Sequence, residues 1–399
     1  MTAGGGTGGL SAPVASAKVR WREERALVGH EGAVLAVRYN PDGRYCLTCG
    51  KDRTVRLWNP ATGLMIKSYV GHGREVRDVA VTRCARRGAL ARRGGEWGDS
   101  SGKGRCRGES RKGRTWRLSQ PMPCAQHGVP CSCMPPCLLR SPSSLSPYPL
   151  AAAPLRLLLP AHPCSDNARL ASGGAERGVL LWDVAAGRVL RRFKGHDNQV
   201  NAVAFNEYDS VVVSGGYDRS VRVWDCRSHS VDAVQTMDPF SDAVTSLLLS
   251  AHCIVAASID GSIATFDIRR GRLQVDELGL EHPINCIAMS HDANCLLAAS
   301  LHSTLRLLDR QSGEILNEYR GHVNEHYKLE AGLTRDDAYV VCGSEDGRLV
   351  AWDLVEGSVA GQQQGAHKGV VTGIAFHPSD KQMLSCSADG SVRVWDLQH

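Results

Sequence analysis

The sequence predicts an all-β fold, a seven-bladed β-propeller, from the spacing of one recurring dipeptide and from the short strands between its copies. The dipeptide joins an aromatic or apolar residue to Asp or Asn, and its copies are Trp58-Asn59, Trp182-Asp183, Trp224-Asp225, Phe266-Asp267, Leu308-Asp309, Trp352-Asp353 and Trp395-Asp396. Their successive spacings are 124, 42, 42, 42, 44 and 43 residues. The first spacing exceeds the regular one by 82 residues, so one of the seven units carries an insertion.

Each unit contains four short apolar runs separated by turn residues. In the first unit, AVLAVRYNPDGRYCLTCGKDRTVRLWNPATGLMIKSYV (33–70) alternates apolar and polar residues, and PDG and GKD mark two of its turns. A single four-stranded sheet cannot bury both of its faces, but seven sheets arranged radially can pack against one another around a channel. The four strands of each unit therefore form one blade of the ring.

The two ends of the chain predict how the ring closes. Only Leu397, Gln398 and His399 follow the last dipeptide, so the seventh unit lacks the strand that follows this dipeptide elsewhere. Residues 18–28, KVRWREERALV, precede the first unit, and we expect them to pair with the last blade and remove its open edge. We expect residues 1–17 to be a disordered tail. They are not read as a secretory signal, because they have no basic start followed by an apolar region.

Residues 83–165 form the predicted insertion, which divides the propeller into residues 18–82 and 166–399. Between residues 83 and 164 lie 14 of the 47 Lys and Arg residues but 3 of the 41 Asp and Glu residues, so this stretch carries +11 and the rest −5. It also has 11 of the 17 prolines, which predicts a disordered basic, Pro-rich loop. We interpret it as retained intron sequence. Zinc binding and nucleic-acid binding by this stretch are weaker alternatives, because its Cys spacings differ from those of structural zinc sites and interleaved aromatic residues are missing.

A polar set recurs at one spacing in three of the units. The step from His to Asp is 22 residues and the step from Asp to Trp is 6, in the sets His30, Thr48, Asp52 and Trp58; His196, Ser214, Asp218 and Trp224; His367, Ser385, Asp389 and Trp395. A hydroxyl, an imidazole and a carboxylate together are typical of a hydrolase triad. Because an enzyme has no use for three such copies, we interpret them as structural hydrogen-bond networks and predict no catalytic activity.

Other units depart from this set. The second unit has Glu176 in place of Asp, and the sixth has Cys342 in place of the hydroxyl residue. The fourth and fifth units lack the set, so we expect their blades to depend on packing alone.

The repeats, with their Gly-His and Trp-Asp pairs, resemble the WD-repeat family over residues 18–82 and 166–399. Segments such as YCLTCGKDRTVRLWNP (45–60) and FNEYDSVVVSGGYDRSVRVWDCRS (205–228) resemble members of that family that organise mitogen-activated protein kinases. The resemblance implies a non-catalytic scaffold for an ERK-type kinase cascade that also associates with pre-mRNA splicing complexes. It implies protein partners in the cytoplasm and the nucleus, no cofactor, and a monomeric ring.

The resemblance also places partner-binding residues on the upper face, around the channel. These candidates are Leu35, Lys51, Glu75, Arg77, Asn201, Tyr217, Thr245, Ile259, Asn285, Tyr327, Glu345 and Thr372. Tyr217 and Tyr327 are the expected anchors, since aromatic side chains dominate interface energies. A buried structural role for Tyr327 is an open alternative.

A second interpretation is an adaptor of a cullin-type ubiquitin ligase. Trp224-Asp225-Cys226-Arg227 and Phe266-Asp267-Ile268-Arg269 resemble the paired Trp-Asp-x-Arg boxes of such adaptors in consecutive blades. Arg227 and Arg269 would then contact the ligase.

Several other classes are excluded by the sequence. No stretch reaches the roughly 18 to 20 uninterrupted apolar residues of a membrane-spanning helix. The run GGGTGG near the start lacks the preceding strand and the following Lys of a phosphate-binding loop. We therefore predict no membrane association, no small-molecule substrate, no metal and no direct nucleic-acid binding by the blades.

Overall fold

The structure, a computed structural model, describes residues 19–82, 169–277, 282–379 and 381–398. Within these ranges the regular secondary structure is entirely β-strand, arranged as seven four-stranded antiparallel sheets. The predicted seven-bladed β-propeller is confirmed. The predicted tail at 1–17 and the predicted insertion at 83–165 lie outside the described residues.

The blades are numbered in chain order, and the strands of each blade run from the channel outward. Blades 1 to 3 consist of β2 (Val34–Tyr39), β3 (Cys46–Gly50), β4 (Thr54–Asn59) and β5 (Leu64–Val70); β6 (Val76–Val81), β7 (Arg169–Gly174), β8 (Gly178–Asp183) and β9 (Val189–Lys194); β10 (Val200–Phe205), β11 (Val211–Gly216), β12 (Val221–Asp225) and β13 (Gln235–Met237). Blades 4 to 6 consist of β14 (Val244–Leu249), β15 (Cys253–Ser258), β16 (Ser262–Asp267) and β17 (Arg272–Glu277); β18 (Ile284–Met289), β19 (Cys295–Ser300), β20 (Thr304–Asp309) and β21 (Ile315–Arg320); β22 (Ala331–Leu333), β23 (Tyr339–Gly343), β24 (Leu349–Asp353) and β25 (Val359–Gln363). Blade 7 consists of β26 (Val371–Phe376), β27 (Gln382–Ser387), β28 (Ser391–Gln398) and β1 (Arg20–Val28).

Blade 7 closes the ring with strands from both ends of the chain, as predicted. Strand β1 pairs with β28 from Arg20 opposite Gln398 to Val28 opposite Ser391. Just before β1, the Val19 N–H donates to the Ala360 carbonyl of blade 6 at 3.1 Å. The first strand therefore joins blade 7 to its neighbour and covers the edge of the last sheet.

The hairpin of blade 2 spans the point at which residues 83–168 leave and rejoin the blade. Val81 pairs with Leu170, and the Thr82 N–H donates to the Arg169 carbonyl at 3.1 Å. Strands β6 and β7 thus keep the pairing of an ordinary hairpin although they are far apart in the chain. This position is the turn at which the sequence predicts the insertion.

The core lies between neighbouring blades. Trp182, Trp224, Trp352 and Trp395 are fully buried, each in an apolar cluster that joins two adjacent sheets. Six of the inner strands carry a β-bulge at their second residue; these residues are Leu35, Arg77, Asn201, Thr245, Asn285 and Thr372. A bulge re-aims a side chain. The side chains of these six residues therefore do not follow the regular alternation between the two faces of the sheet.

Candidate protein-binding surface

The predicted polar networks of blades 1 and 3 are present as hydrogen-bonded chains. In blade 3, His196 Nε2 lies 2.7 Å from Ser214 Oγ, and the Trp224 indole N–H donates to the same oxygen at 2.8 Å. His196 Nδ1 lies 2.9 Å from Asp218. In blade 1, His30, Thr48, Asp52 and Trp58 repeat this arrangement with distances of 2.7 to 2.8 Å. Each network ties the loop that enters a blade to the turn between its second and third strands.

Blade 7 has the same network with one additional link. His367 Nε2 lies 2.6 Å from Ser385 Oγ, which accepts the Trp395 indole N–H. His367 Nδ1 is 3.5 Å from Asp389 but 3.0 Å from the Ser391 hydroxyl, and this hydroxyl donates to Asp389 at 2.6 Å. Asp389 therefore acts on the imidazole through Ser391 and also accepts the Lys368 N–H.

Blade 2, in which the sequence has Glu176 in place of Asp, keeps the His, hydroxyl and Trp part of the network. His72 Nε2 lies 2.6 Å from Ser172 Oγ, and the Trp182 indole N–H donates to that oxygen at 2.8 Å. The residues of the insertion separate His72 from Ser172 by 100 positions, whereas the corresponding pair in blade 1 is 18 positions apart. Glu176, one methylene longer than Asp, accepts the Gly73 N–H instead of bonding His72 Nδ1, which has no hydrogen-bond partner among the described residues.

Blade 6 keeps the His and the Trp but has lost the hydrogen-bonded chain. Because Cys342 replaces the hydroxyl residue, the Trp352 indole N–H donates to the Arg320 carbonyl at 2.9 Å. His322 is 3% exposed and packs edge-on against Trp352. Neither of its ring nitrogens has a partner within the ranges that the structure covers. Burial lowers the pKa of His322 to about 4, and burial likewise lowers the pKa of His367 to about 4.

These buried histidines predict a loss of stability in mild acid. Their folded pKa values lie below the unfolded value of about 6.5, so the unfolded chain takes up protons first as the pH falls. Stability is then full at neutral pH and declines from about pH 6.5 towards pH 4, by about 1–2 kcal/mol per histidine at pH 5. Urea unfolding at neutral pH and at pH 5 should show this decline. The variant His322→Phe keeps the packing on Trp352. Between neutral pH and pH 5 it should lose less unfolding free energy than the wild type, by the contribution of one histidine. An identical pH dependence in this variant contradicts the assignment.

Removing a network carboxylate should destabilise the fold without affecting one particular partner. Burial raises the pKa of Asp218, but hydrogen bonds from His196, the Asp197 N–H and Ser220 outweigh it and hold this pKa below its usual range. Asp218→Ala leaves these donors unpaired, so we expect a loss of about 1–3 kcal/mol in the free energy of unfolding. Asp232→Ala, an exposed position of blade 3, is the matched control and should change it by less than about 0.5 kcal/mol. Equal effects of the two variants would sink the interpretation.

The upper face is formed by the loops that enter the inner strands and by the turns between second and third strands. Four of the predicted contact residues belong to the channel wall beneath it: Asn201, Thr245, Asn285 and Thr372 are 6–7% exposed. Thr245 donates to the Ile284 carbonyl at 2.7 Å, and Thr372 donates to the Val34 carbonyl at 2.6 Å. Asn201 and Asn285 likewise donate to the carbonyls of Val244 and Tyr327 in the next blade. These bulged residues join neighbouring blades, and little of each is accessible to a partner.

Other predicted contacts are accessible. Tyr217 is 47% exposed in blade 3 and Tyr327 is 50% exposed in blade 6, so the buried alternative for Tyr327 is wrong. Lys51 is exposed, whereas Leu35, Ile259, Glu75 and Arg77 are half-buried. Arg77 pairs with Glu75 at 3.0 Å and donates to Asn201 at 2.9 Å.

Glu345 organises the loop that carries Tyr327. One oxygen of its carboxylate accepts the N–H groups of Glu325, His326 and Tyr327 at 2.8, 2.7 and 2.9 Å. Three successive amides that converge on one anion form a rigid concave turn. Glu345 therefore fixes the backbone of the turn that carries Tyr327.

Two cationic side chains cross the channel below the upper face. Arg38 of blade 1 forms two hydrogen bonds of 2.7 Å to Glu330 of blade 6 and one of 2.9 Å to Asp78 of blade 2. Lys328 of blade 6 donates to the Thr245 carbonyl of blade 4 at 2.7 Å. A cavity of about 790 Å³ lies at the lower end of the channel. It is lined by apolar residues such as Leu249 and also by Arg38, Lys328 and Glu330 of the bridges.

The two arginines of the alternative interpretation lie together on the lower face. Arg227 follows β12 and Arg269 follows β16, in consecutive blades, and both are exposed. The side chain of Arg227 lies 3.5 Å from Asp225. Their placement on one face agrees with a contact to a shared partner.

The described residues contain no group of three or more His, Cys, Asp or Glu side chains placed to hold a metal ion. Nor does any helix in these ranges have the length and apolarity needed to cross a membrane.

Comparison with known proteins agrees with the repeat structure. The family model described as WD domain, G-beta repeat, matches residues 21–59, 187–225 and 361–396. The chain is 38% identical over 365 residues to WD repeat domain-containing protein 83 of Rattus norvegicus. The aligned residues make up 92% of this chain and 89% of the relative. The human protein of the same name has the same identity and coverage. A homolog from Dictyostelium discoideum is 26% identical over 93% of this chain and 97% of its own length. Propellers built from this repeat are typically non-catalytic platforms for protein partners. The chain therefore belongs to the WD-repeat family, with relatives named WD repeat domain-containing protein 83.

Proposed function

We propose that this protein is a scaffold that holds components of an ERK-type mitogen-activated protein kinase cascade and also associates with pre-mRNA splicing complexes, in the cytoplasm and the nucleus. The observation that carries the scaffold role is the pair of half-exposed tyrosines, Tyr217 and Tyr327, presented on a rigid upper face. The resemblance of 45–60 and 205–228 to kinase-organising members of the family supports the choice of partners.

Rigid presentation favours binding because little conformational freedom is lost when a partner docks. Glu345 fixes the loop of Tyr327, and the turn of Tyr217 is held by its N–H, which donates to the Gln199 carbonyl at 2.8 Å. The upper face lies at one end of the channel and the cavity lies at the other, so two partners have separate surfaces to occupy. Holding two kinases on one ring raises their effective concentration for each other without any chemistry by the ring itself.

The test is affinity purification of the full chain from cells followed by mass spectrometry. We expect kinase-cascade and splicing proteins with the wild type, and fewer of them with the double variant Tyr217→Ala, Tyr327→Ala. Tyr208→Ala is the matched control, because Tyr208 is 46% exposed but lies on the lower face. Recovery of neither class of partner by the wild type contradicts the proposal, and equal recovery with the upper-face variant moves the binding site elsewhere.

The ubiquitin-ligase adaptor is the second candidate, favoured by the exposure of Arg227 and Arg269 on one face of consecutive blades. The same purification discriminates between the two candidates. Cullin-type ligase subunits that are lost with Arg227→Glu and kept with the tyrosine variant would establish the adaptor role.

A further inference from the structure

We infer that one half of the upper face is a docking surface for a carboxylate-rich segment of a protein partner. The inference rests on the proposed function in one respect, that the upper face binds proteins, and it adds the chemistry of the partner. Its basis is an uneven distribution of unpaired charge over the seven blades.

The basic half spans the four consecutive blades 7, 1, 2 and 3. Its exposed cations, here called the basic arc, are Lys368, Lys51, Arg53, Arg74, Arg177 and Arg219. They stand on the loops that enter the inner strands or on the turns between second and third strands. Arg219 has one long hydrogen bond to the Ser241 carbonyl, and the side chains of the other five have no ion pair or hydrogen bond to any described residue.

The acidic side chains of the same blades are mostly occupied. Asp52 pairs with His30 and Arg56, and Glu75 pairs with Arg77. Asp218 lies 3.5 Å from Arg222 and Glu176 lies 3.3 Å from Arg192, whereas Asp389 keeps its charge within the network of blade 7. Glu31 and Asp197 are the exposed acids that remain on this part of the upper face, and Asp197 lies 3.9 Å from Arg222. The basic arc therefore carries a net positive charge although the chain outside residues 83–164 has a net charge of −5.

The opposite half has the reverse charge. In blades 4 to 6, Asp238, Asp242, Asp260 and Glu325 are exposed on the same face, and Asp346 is paired with Arg348 at 2.5 Å. Lys328 is directed into the channel towards the Thr245 carbonyl. A ligand that follows the basic arc is therefore repelled from the other half of the ring.

This pattern favours a short acidic peptide. A phosphate group needs several donors that converge on one point. Apart from Lys51 and Arg53, which share one turn, the cations of the basic arc stand on separate loops, which suits single carboxylates spaced along a chain. A nucleic-acid strand carries continuous negative charge, and a path across the face would meet the acids of blades 4 to 6. Such complementarity sets the partner and its orientation.

The inference is tested with a fluorescein-labelled peptide in which Glu alternates with Gly, titrated with the full chain and followed by fluorescence anisotropy. We expect saturable binding that weakens as salt rises, and none with a peptide that has Gln in place of Glu. The triple variant Lys51→Glu, Arg74→Glu, Arg177→Glu should weaken binding at least about tenfold. The control Arg44→Glu, Arg335→Glu, Lys381→Glu makes the same charge change on exposed positions of the lower face. Because all variants keep residues 83–164, the contribution of that basic stretch is the same in each.

The inference is overturned if both triple variants weaken peptide binding equally, and also if neither of them weakens it. Single-stranded oligouridylate that binds more tightly than the peptide and is lost with the upper-face variant overturns it in favour of nucleic acid. The outcome for the proposed function is separate. If the upper-face variant loses the peptide but still co-purifies the kinase and splicing proteins, the acid-binding surface is supported, and those partners bind elsewhere.

Discussion

Replacing Leu27 by Asp should cost this protein at least about 4 kcal/mol in unfolding free energy, because Leu27 anchors the strand that closes the ring. Leu27 is 1% exposed and packs in the core between blades 7 and 1, with Trp58 and Val392. A carboxylate there would be buried without a partner, which is among the most destabilising single changes. The melting temperature should fall by about 10 °C or more, since each kcal/mol is worth about 2–4 °C in chains of this size class.

Val28→Asp is the control on the same strand. Val28 is 74% exposed and pairs with Ser391 through its backbone, so the expected change is below about 0.5 kcal/mol. Truncation gives a second comparison: deleting residues 1–28 removes β1, whereas deleting 1–15 leaves all of it. Thermal melts in which the two truncations are equally stable contradict the closure by β1.

Replacing Arg38 by Met should cost about 3–5 kcal/mol, since it leaves two carboxylates buried in the channel without their cation. The Asp78 and Glu330 side chains are each 8% exposed, and Arg38 bonds to both. Asp78 also accepts the Val203 N–H at 3.0 Å, so the disturbance reaches blades 1, 2, 3 and 6 together. Chemical denaturation of the purified variant measures the loss.

Arg77→Met is the matched control for Arg38→Met. Like Arg38, Arg77 lies on the inner strand of its blade. Its side chain and that of its partner Glu75 are each about one third exposed, so we expect a cost of about 1 kcal/mol or less in unfolding free energy. A double-mutant cycle of Arg38→Met with Glu330→Gln should show a coupling above about 1 kcal/mol. Additive effects in this cycle would mean that the bridge contributes little.

The arrangement of the blades was predictable because it depends on local period. A dipeptide at intervals of 42 to 44 residues fixes where each strand begins, and the missing last strand of blade 7 predicts β1. The networks of blades 1 and 3 follow from the same period, because residues at fixed spacing in identical hairpins meet again in each blade. Blade 2 was predicted to depart from the set through Glu176, and its His72, Ser172 and Trp182 still meet because β6 and β7 pair as a hairpin across residues 83–168.

The channel bridge could not be predicted from the period. Arg38 and Glu330 are separated by 292 positions, and nothing in the repeat singles out either residue. Space for the bridge depends on Gly373 of the intervening blade, where a Cβ atom would lie 3.0 Å from a Glu330 oxygen. Contacts of this kind exist only after the ring has closed.

The sequence by itself therefore determined the number of blades, the closing strand, the polar networks of blades 1, 3 and 7, and a binding role for the ring. Only the tertiary structure decided which predicted contacts are accessible: Tyr217 and Tyr327 are half exposed, whereas the bulged Asn201 and Thr372 turn into the gaps between blades. The division of the upper face into a basic and an acidic half was also decided there. The physical reason is that strand positions follow from residues close in the chain, whereas side-chain direction, burial and net charge on a face depend on neighbours from other blades.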